Sequence, residues 1–87
     1  MLNILSKKLA LMSPPKKKLK RSVKISNHRT SISLEKEFWL ELISASKKLN
    51  LSLNKLITII DEERLSNNIG LSSATRVWIL KWVKKNK

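Results

Sequence analysis

The residues best suited to ligand chemistry lie in the segment 29-RTSISL-34, where Arg29, Ser31 and Ser33 occupy every second position. Residues two apart in an extended chain point to the same side. The spacing therefore predicts a strand with Arg and Ser along one face and the aliphatic residues Ile32 and Leu34 on the other. Arg and Ser side chains donate hydrogen bonds, so this row suits a ligand rich in acceptors.

Catalytic or metal chemistry has few candidates in this chain. There is no Cys, and His28 is the one histidine. Without thiolates or a second imidazole, neither a zinc site nor a nucleophile–base pair can be assembled. We therefore expect no enzyme, no metal and no cofactor, and we interpret His28 as a turn residue. The lack of Cys also rules out a disulfide framework and favours a reducing compartment.

Charge is the strongest compositional signal. The chain of 87 residues holds 19 Lys and Arg against 6 Asp and Glu, a formal net charge of +13. No acidic residue precedes Glu35. A field of this sign attracts polyanions, which here means nucleic acid or an anionic membrane surface.

The cationic N-terminal part is expected to be a flexible basic arm over residues 1–20, followed by one domain over 21–87. Residues 1–12 are interpreted as a disordered tail, with a short amphipathic helix as the alternative, acting either as a membrane-surface anchor or as a transit peptide. The segment is too short to span a bilayer. The run 14-PPKKKLKR-21 combines helix-breaking prolines with repelling lysines. It is interpreted as a phosphate-binding arm, with a nuclear-import run and a solubilising tail as alternatives. The phosphate contacts assigned to this region are Lys16, Lys17, Lys18, Lys20, Arg21 and Lys24.

Two strand candidates follow the arm, and their apolar residues have opposite phases. Val23 and Ile25 are odd-numbered, whereas Ile32 and Leu34 are even-numbered. One continuous strand would point half of these side chains to each face, so a break is required near Asn27, a residue type that tolerates left-handed backbone angles. The break is either a hairpin turn or a kink, and whether 22–26 forms a second strand stays open.

Three amphipathic helices are predicted after the strands. The first begins at Glu35 and ends before 50-NLS-52, where Ser52 is placed to cap the second. The second is expected to end around residues 65–68 with Gly70 as terminator, and the third to run from a Ser72 cap to about Lys84.

A single short strand needs a partner, because no two-stranded unit is stable alone in water. We predict a mainly α fold with one short β-strand per chain that pairs antiparallel with the strand of a second copy. Such a ribbon fits the major groove of B-DNA, with Arg29, Ser31 and Ser33 toward the bases. The dimer core is assigned to Ile32, Leu34, Phe38, Trp39, Leu42, Leu56, Ile57 and Ile60.

The order of strand and helices resembles the ribbon-helix-helix family, to which the Arc- and MetJ-type repressors belong. The motifs that carry the resemblance are 21-RSVKI-25, 28-HRTSISLEKEFW-39, 52-SLNKLI-57 with the following Asp61, and 71-LSSATR-76. A bacterial subfamily with this pattern has Gly where this chain has Asn27.

The resemblance implies a role for each matching position. It assigns base contacts to Arg29, Ser31 and Ser33, although Ser33 is also a candidate cap of the first helix. It turns Thr30, Ile32 and Leu34 toward the core. A phosphate clamp is assigned to the start of the second helix, at Ser52, Leu53, Asn54 and Lys55.

These observations predict a homodimeric, sequence-specific protein that binds double-stranded DNA and regulates transcription in the bacterial cytoplasm, associated with the nucleoid. A rival reading is an antitoxin or adaptor whose Trp78 and Trp82 bind a protein partner; the same residues could pack in the core or seal a dimer. A cationic membrane-surface protein is the third reading, although no membrane contact is expected.

Overall fold

The computed structural model describes residues 18–86. The fold consists of two strands followed by three helices: β1 (Lys18–Ile25), β2 (His28–Glu35), α1 (Lys36–Lys48), α2 (Leu53–Asn67) and α3 (Leu71–Lys85). The predicted tail 1–12 and the arm residues Lys16 and Lys17 lie outside the described residues. Strand β1 includes Lys18–Lys20, ahead of the domain start predicted at residue 21.

The two strands form an antiparallel hairpin within one chain. Ile25 lies opposite His28, and Lys18 lies opposite Glu35. Ser26 and Asn27 have φ angles of 48° and 69°, as the two central residues of a type I′ turn require. The break near Asn27 is therefore a hairpin turn.

The mainly helical class with a short β unit ahead of three helices is confirmed, but β2 finds a partner strand in its own chain. The expectation of one strand per chain was wrong, because Lys18–Ile25 forms a second strand. The register pairs odd-numbered residues of β1 with even-numbered residues of β2. Val23 and Ile25 thereby join Ile32 and Leu34 on one face. Across a two-residue turn an odd-numbered residue pairs with an even-numbered one, so apolar residues at odd positions of β1 and at even positions of β2 fall on the same face.

Helix α1 begins after Glu35, whose side chain makes no capping hydrogen bond. The alternative that Ser33 caps this helix was wrong, since the N-cap position falls two residues later. At the other end Asn50 adopts a left-handed φ of 58°. The Leu51 N–H donates to the Ser46 carbonyl at 2.9 Å and the Asn50 N–H to the Lys47 carbonyl at 3.1 Å. This Schellman motif ends the helix where the sequence predicts.

Helix α2 begins as predicted, with the Ser52 Oγ accepting a hydrogen bond from the Lys55 N–H at 3.1 Å. It ends at Asn67, followed by Asn68 in the left-handed region with a φ of 53°. The roles predicted for Gly70 and Ser72 were wrong. Asn68 already supplies the left-handed residue that stops α2, and Gly70, with a φ of −68°, is the N-cap of α3, which leaves Ser72 inside the first turn.

The core lies between the apolar face of the hairpin and the three helices. Its buried side chains are Val23, Ile25, Ile32, Leu34, Trp39, Leu42, Ala45, Leu56, Ile57, Ile60, Ala74 and Ile79. Of the eight residues assigned to a dimer core, all are buried within one chain except Phe38, which is half-buried.

Thr30 was expected to face the core. It lies opposite the buried Val23, on the side of the hairpin that faces the helices, but it is exposed. It lies beside a hollow of about 300 Å³ that Asp61 and Leu71 also line. No helix side chain fills this hollow in the described part of the chain, so Thr30 remains open to solvent.

Candidate nucleic-acid interface

The face of the hairpin that points away from the helices is polar and cationic. The register places Lys20 opposite Ser33, Ser22 opposite Ser31, and Lys24 opposite Arg29. Glu35 also lies on this side of the hairpin, opposite Lys18. We call this surface the outer face, and its basic and hydroxyl-bearing members are Lys18, Lys20, Ser22, Lys24, Arg29, Ser31 and Ser33. All of them are exposed except Ser33, which is half-buried. The strand pairing has thus extended the predicted row of Arg29, Ser31 and Ser33 with three lysines.

Lys24 and Arg29 are directly opposite each other on the outer face. Like charges in this cross-strand position are destabilising, by about 0.2–1 kcal/mol relative to a neutral pair. A bound anion would relieve this repulsion. The pair therefore makes the turn end of the hairpin a favourable place for a phosphate or an acceptor-rich base edge.

The N-terminus of α2 offers backbone donors next to these cations. The first backbone hydrogen bond of the helix runs from the Leu56 N–H to the Ser52 carbonyl at 3.0 Å. The Ser52 Oγ accepts a hydrogen bond from the Lys55 N–H. The two preceding amides, those of Leu53 and Asn54, have no acceptor within the helix and are free to bind a ligand. The helix dipole favours an anion there.

The outer face and the start of α2 meet in one hollow. This hollow has a volume of about 260 Å³ and is lined by Ser22, Val23, Lys24, Arg29 and Asn54. The structure therefore brings the predicted base-contact residue Arg29 together with Lys24 and Asn54, both predicted to contact phosphate. The sequence alone places these residues on three separate segments.

Arg21, also predicted to contact phosphate, lies apart from the outer face. It pairs with Ile32, on the apolar side of the hairpin. Its guanidinium carbon lies 5.4 Å from the centroid of the Trp39 ring, at cation–π distance. The Trp39 indole N–H in turn donates to the Leu19 carbonyl at 2.8 Å. Arg21 therefore covers the edge of the core.

Sequence reasoning missed a contact between α3 and the end of β2. The Arg76 guanidinium donates to both carboxylate oxygens of Glu35, at 3.1 and 3.4 Å, and lies 5.8 Å from the centroid of the Phe38 ring. The backbone N–H of Glu35 and then the Arg76 side chain hold the pKa of Glu35 below its ordinary value. No local pattern marks this pair, because the partners are 41 residues apart.

Comparison with known proteins gives one assignment. The sequence matches the ribbon-helix-helix domain over residues 18–83. The chain belongs to the ribbon-helix-helix domain family. This family consists of DNA-binding regulators whose members generally act as dimers. No curated protein and no solved structure matches the chain significantly.

The ribbon-helix-helix match covers both strands, α1, α2 and all but the last residues of α3. Within residues 18–86, no group of three or more acidic or His side chains could hold a metal ion. None of the helices that the structure describes is long and apolar enough to cross a membrane.

Proposed function

We propose that this ribbon-helix-helix protein is a homodimeric, sequence-specific DNA-binding transcriptional regulator that reads the major groove with an intermolecular β-ribbon made of the β2 strands of its two copies. The observation that carries the proposal is the outer face, where Arg29 of β2 lies opposite Lys24 of β1 and Ser31 lies opposite Ser22. A ribbon of two strands about 4.8 Å apart fits a groove roughly 12 Å wide, and the β1 strands would then lie outside this ribbon, toward the phosphates.

Arg29 is the residue proposed to read a base. It is exposed, lies on the outer face and borders the hollow at the start of α2. Arg bidentate to guanine is the commonest specific contact in the major groove. Ser31 is exposed on the same face and is proposed as a second base contact, with the half-buried Ser33 as a third.

Phosphate contacts are proposed to position the ribbon in the groove. The free amides of Leu53 and Asn54, with the exposed Lys55, are proposed as an anion site beside the hollow that Asn54 and Arg29 both line. Lys18, Lys20 and Lys24 add charge along β1, and Lys16 and Lys17 are proposed to continue it. Arg21 is left out of this set, because it lies over Trp39.

The homodimer is proposed to form through the second edge of β2. One edge pairs with β1, and no other strand of the described chain pairs with the opposite edge. An unpaired edge presents free N–H and C=O groups for another strand. A second copy could pair its β2 there across a two-fold axis, beside the hollow at Thr30, and would give the family's dimeric arrangement.

Selection of binding sites from a random duplex pool by the full chain, at near-physiological salt, tests the proposal. We expect an enriched inverted repeat, as a two-fold dimer demands. Sedimentation should give a mass twice the chain mass of 10.1 kDa. Retained binding without an enriched sequence would contradict specific readout, and a monomer on DNA would contradict the dimer. A protein working in the bacterial cytoplasm on the nucleoid is the setting that this function implies.

A further inference from the structure

Two tryptophans of α3 border an open groove that the proposed DNA interface does not use. Trp78 and Trp82 stack with ring centroids 5.5 Å apart and planes 9° from parallel, and both are half-buried. The groove beside them has a volume of about 520 Å³. We call it the tryptophan groove; its lining residues are Glu63, Trp78, Lys81, Trp82, Lys85 and Asn86.

The apolar surface continues beyond the tryptophan groove. A smaller hollow of about 80 Å³ shares Trp78 and Lys81 with it and adds Ile69 and Val77. Ile69 and Val77 are 39% and 46% exposed. The combined strip therefore offers apolar side chains beside the two tryptophans, as do the grooves that bind amphipathic peptides.

The charges around the tryptophan groove are mainly positive. Lys81 and Lys85 are exposed and form no ion pair with any residue that the structure describes. A second copy seated symmetrically on this surface would bring its own Lys81 and Lys85 against these lysines, which opposes self-association.

We propose that the tryptophan groove binds an acidic peptide segment of another protein, with an apolar side chain of that segment against Trp78 and Trp82 and its carboxylates facing Lys81 and Lys85. Aromatic side chains flanked by cations match such a ligand in both shape and charge. None of the residues proposed to contact DNA lines this groove. One chain would thereby hold DNA and a protein partner at separate surfaces.

The test selects binders to the full chain from a displayed library of short random peptides. We expect selected peptides rich in Asp and Glu around a bulky apolar residue. The double variant Lys81→Glu with Lys85→Glu should weaken their binding by about tenfold or more. The matched control is Lys47→Glu with Lys48→Glu, two exposed lysines at the end of α1, which should bind the peptides as the wild type does.

A second measurement maps the binding site. In nuclear magnetic resonance spectra the indole N–H signals of Trp78 and Trp82 should move on peptide addition. The signal of Trp39 should stay in place, because that ring is buried and its N–H is bonded to the Leu19 carbonyl. The Lys81/Lys85 variant should keep its affinity for duplex DNA, which separates this proposal from the proposed DNA interface.

Four outcomes would overturn the proposal. Selected peptides without acidic residues would do so, and so would equal losses in the two double variants, which would mean attraction by net charge alone. Loss of dimer mass in the Lys81/Lys85 variant would assign the groove to a second copy. Loss of DNA affinity in that variant, with no shift of the Trp78 and Trp82 signals by peptide, would assign it to nucleic acid.

Discussion

At the scale of single residues, the proposed division of labour is between Arg29, which discriminates among DNA sequences, and the lysines, which supply affinity. Arg29 is exposed on the outer face, and the exposed Lys24 lies directly opposite it on β1. Phosphate contacts carry no sequence information directly, whereas base contacts do.

The variant Arg29→Ala should therefore lose discrimination between selected and random DNA by about 1–3 kcal/mol. The substitution should cause no electrostatic loss of stability, because the variant no longer has the repulsion between Arg29 and Lys24. Competition binding with specific and random duplexes measures the first effect, with Lys48→Ala as a control on exposed charge. An unchanged specificity ratio would show that Arg29 does not read a base.

Glu35 and Arg76 set a pH dependence of stability. The pKa of Glu35 is lowered from 4.5, first by its own backbone N–H and next by Arg76. A lowered pKa in the folded state means that the carboxylate stabilises the fold above the ordinary pKa and that this contribution is lost as pH falls through the folded value. The lowered pKa of Glu35 therefore predicts that the fold loses stability in acid.

We expect Glu35→Gln to unfold at lower urea concentration than the wild type at neutral pH, and the difference to shrink below about pH 4.5. Urea unfolding across a pH series measures it. Glu37→Gln is the control, since Glu37 forms no ion pair in the described part of the chain. A difference that is constant with pH would assign the effect to packing.

At the scale of elements, the hairpin and the start of α2 carry sites that are costly or incomplete without a ligand. The cross-strand pair of Lys24 and Arg29 repels, and the first amides of α2 have no partner in the helix. Both features are expected of surfaces that bind an anion.

Replacing Lys24 with Thr should stabilise the free protein by up to about 1 kcal/mol, because it removes like charge and adds a β-branched residue, while weakening DNA binding. Lys20→Thr is the matched control. It lies opposite Ser33, so it removes the same charge without relieving repulsion. Equal thermal stability of the two variants would contradict the account of the pair.

The Ser52 cap can be separated from phosphate binding by two substitutions. Ser52→Ala should lower the free energy of unfolding by about 1 kcal/mol, since the Lys55 N–H loses its acceptor. Ser52→Asp should restore that stability but weaken DNA binding, because its negative charge opposes a phosphate at the same amides. If Ser52→Asp bound DNA with wild-type affinity, no phosphate would be bound at the start of this helix.

At the scale of the whole molecule, a net charge of +13 favours binding to many phosphates, and the number of phosphates contacted determines how strongly DNA binding depends on salt. Neutralising about six phosphates per dimer would give a log–log slope of roughly −5. Replacement of Lys16, Lys17 and Lys18 with Ala should weaken selected and random DNA alike and flatten that slope. Measured affinities over a salt series decide this, and a loss confined to the selected site would contradict the assignment of these lysines to phosphate.

The family and most of the helices were predictable because they depend on short-range patterns. These patterns each involve only a few neighbouring residues and can be recognised in the sequence. They are the alternation in 29-RTSISL-34, the Ser52 cap and the apolar spacing of Phe38, Trp39 and Leu42. The boundary between α2 and α3 was predicted incorrectly. Glycine is the residue type that most often takes the left-handed conformation after a helix, which pointed to Gly70, but Asn68 takes it here.

By itself the sequence determined the outward row of Arg29, Ser31 and Ser33, because side-chain direction in a strand follows from position alone. Only the tertiary structure decided which strand β2 pairs with, and hence that lysines of β1 join that row. It also decided that Arg76 holds Glu35 and that the tryptophan groove stays open. Glu35 and Arg76 are 41 residues apart, so no local pattern links them, and strand pairing depends on a register that local periodicity leaves undetermined.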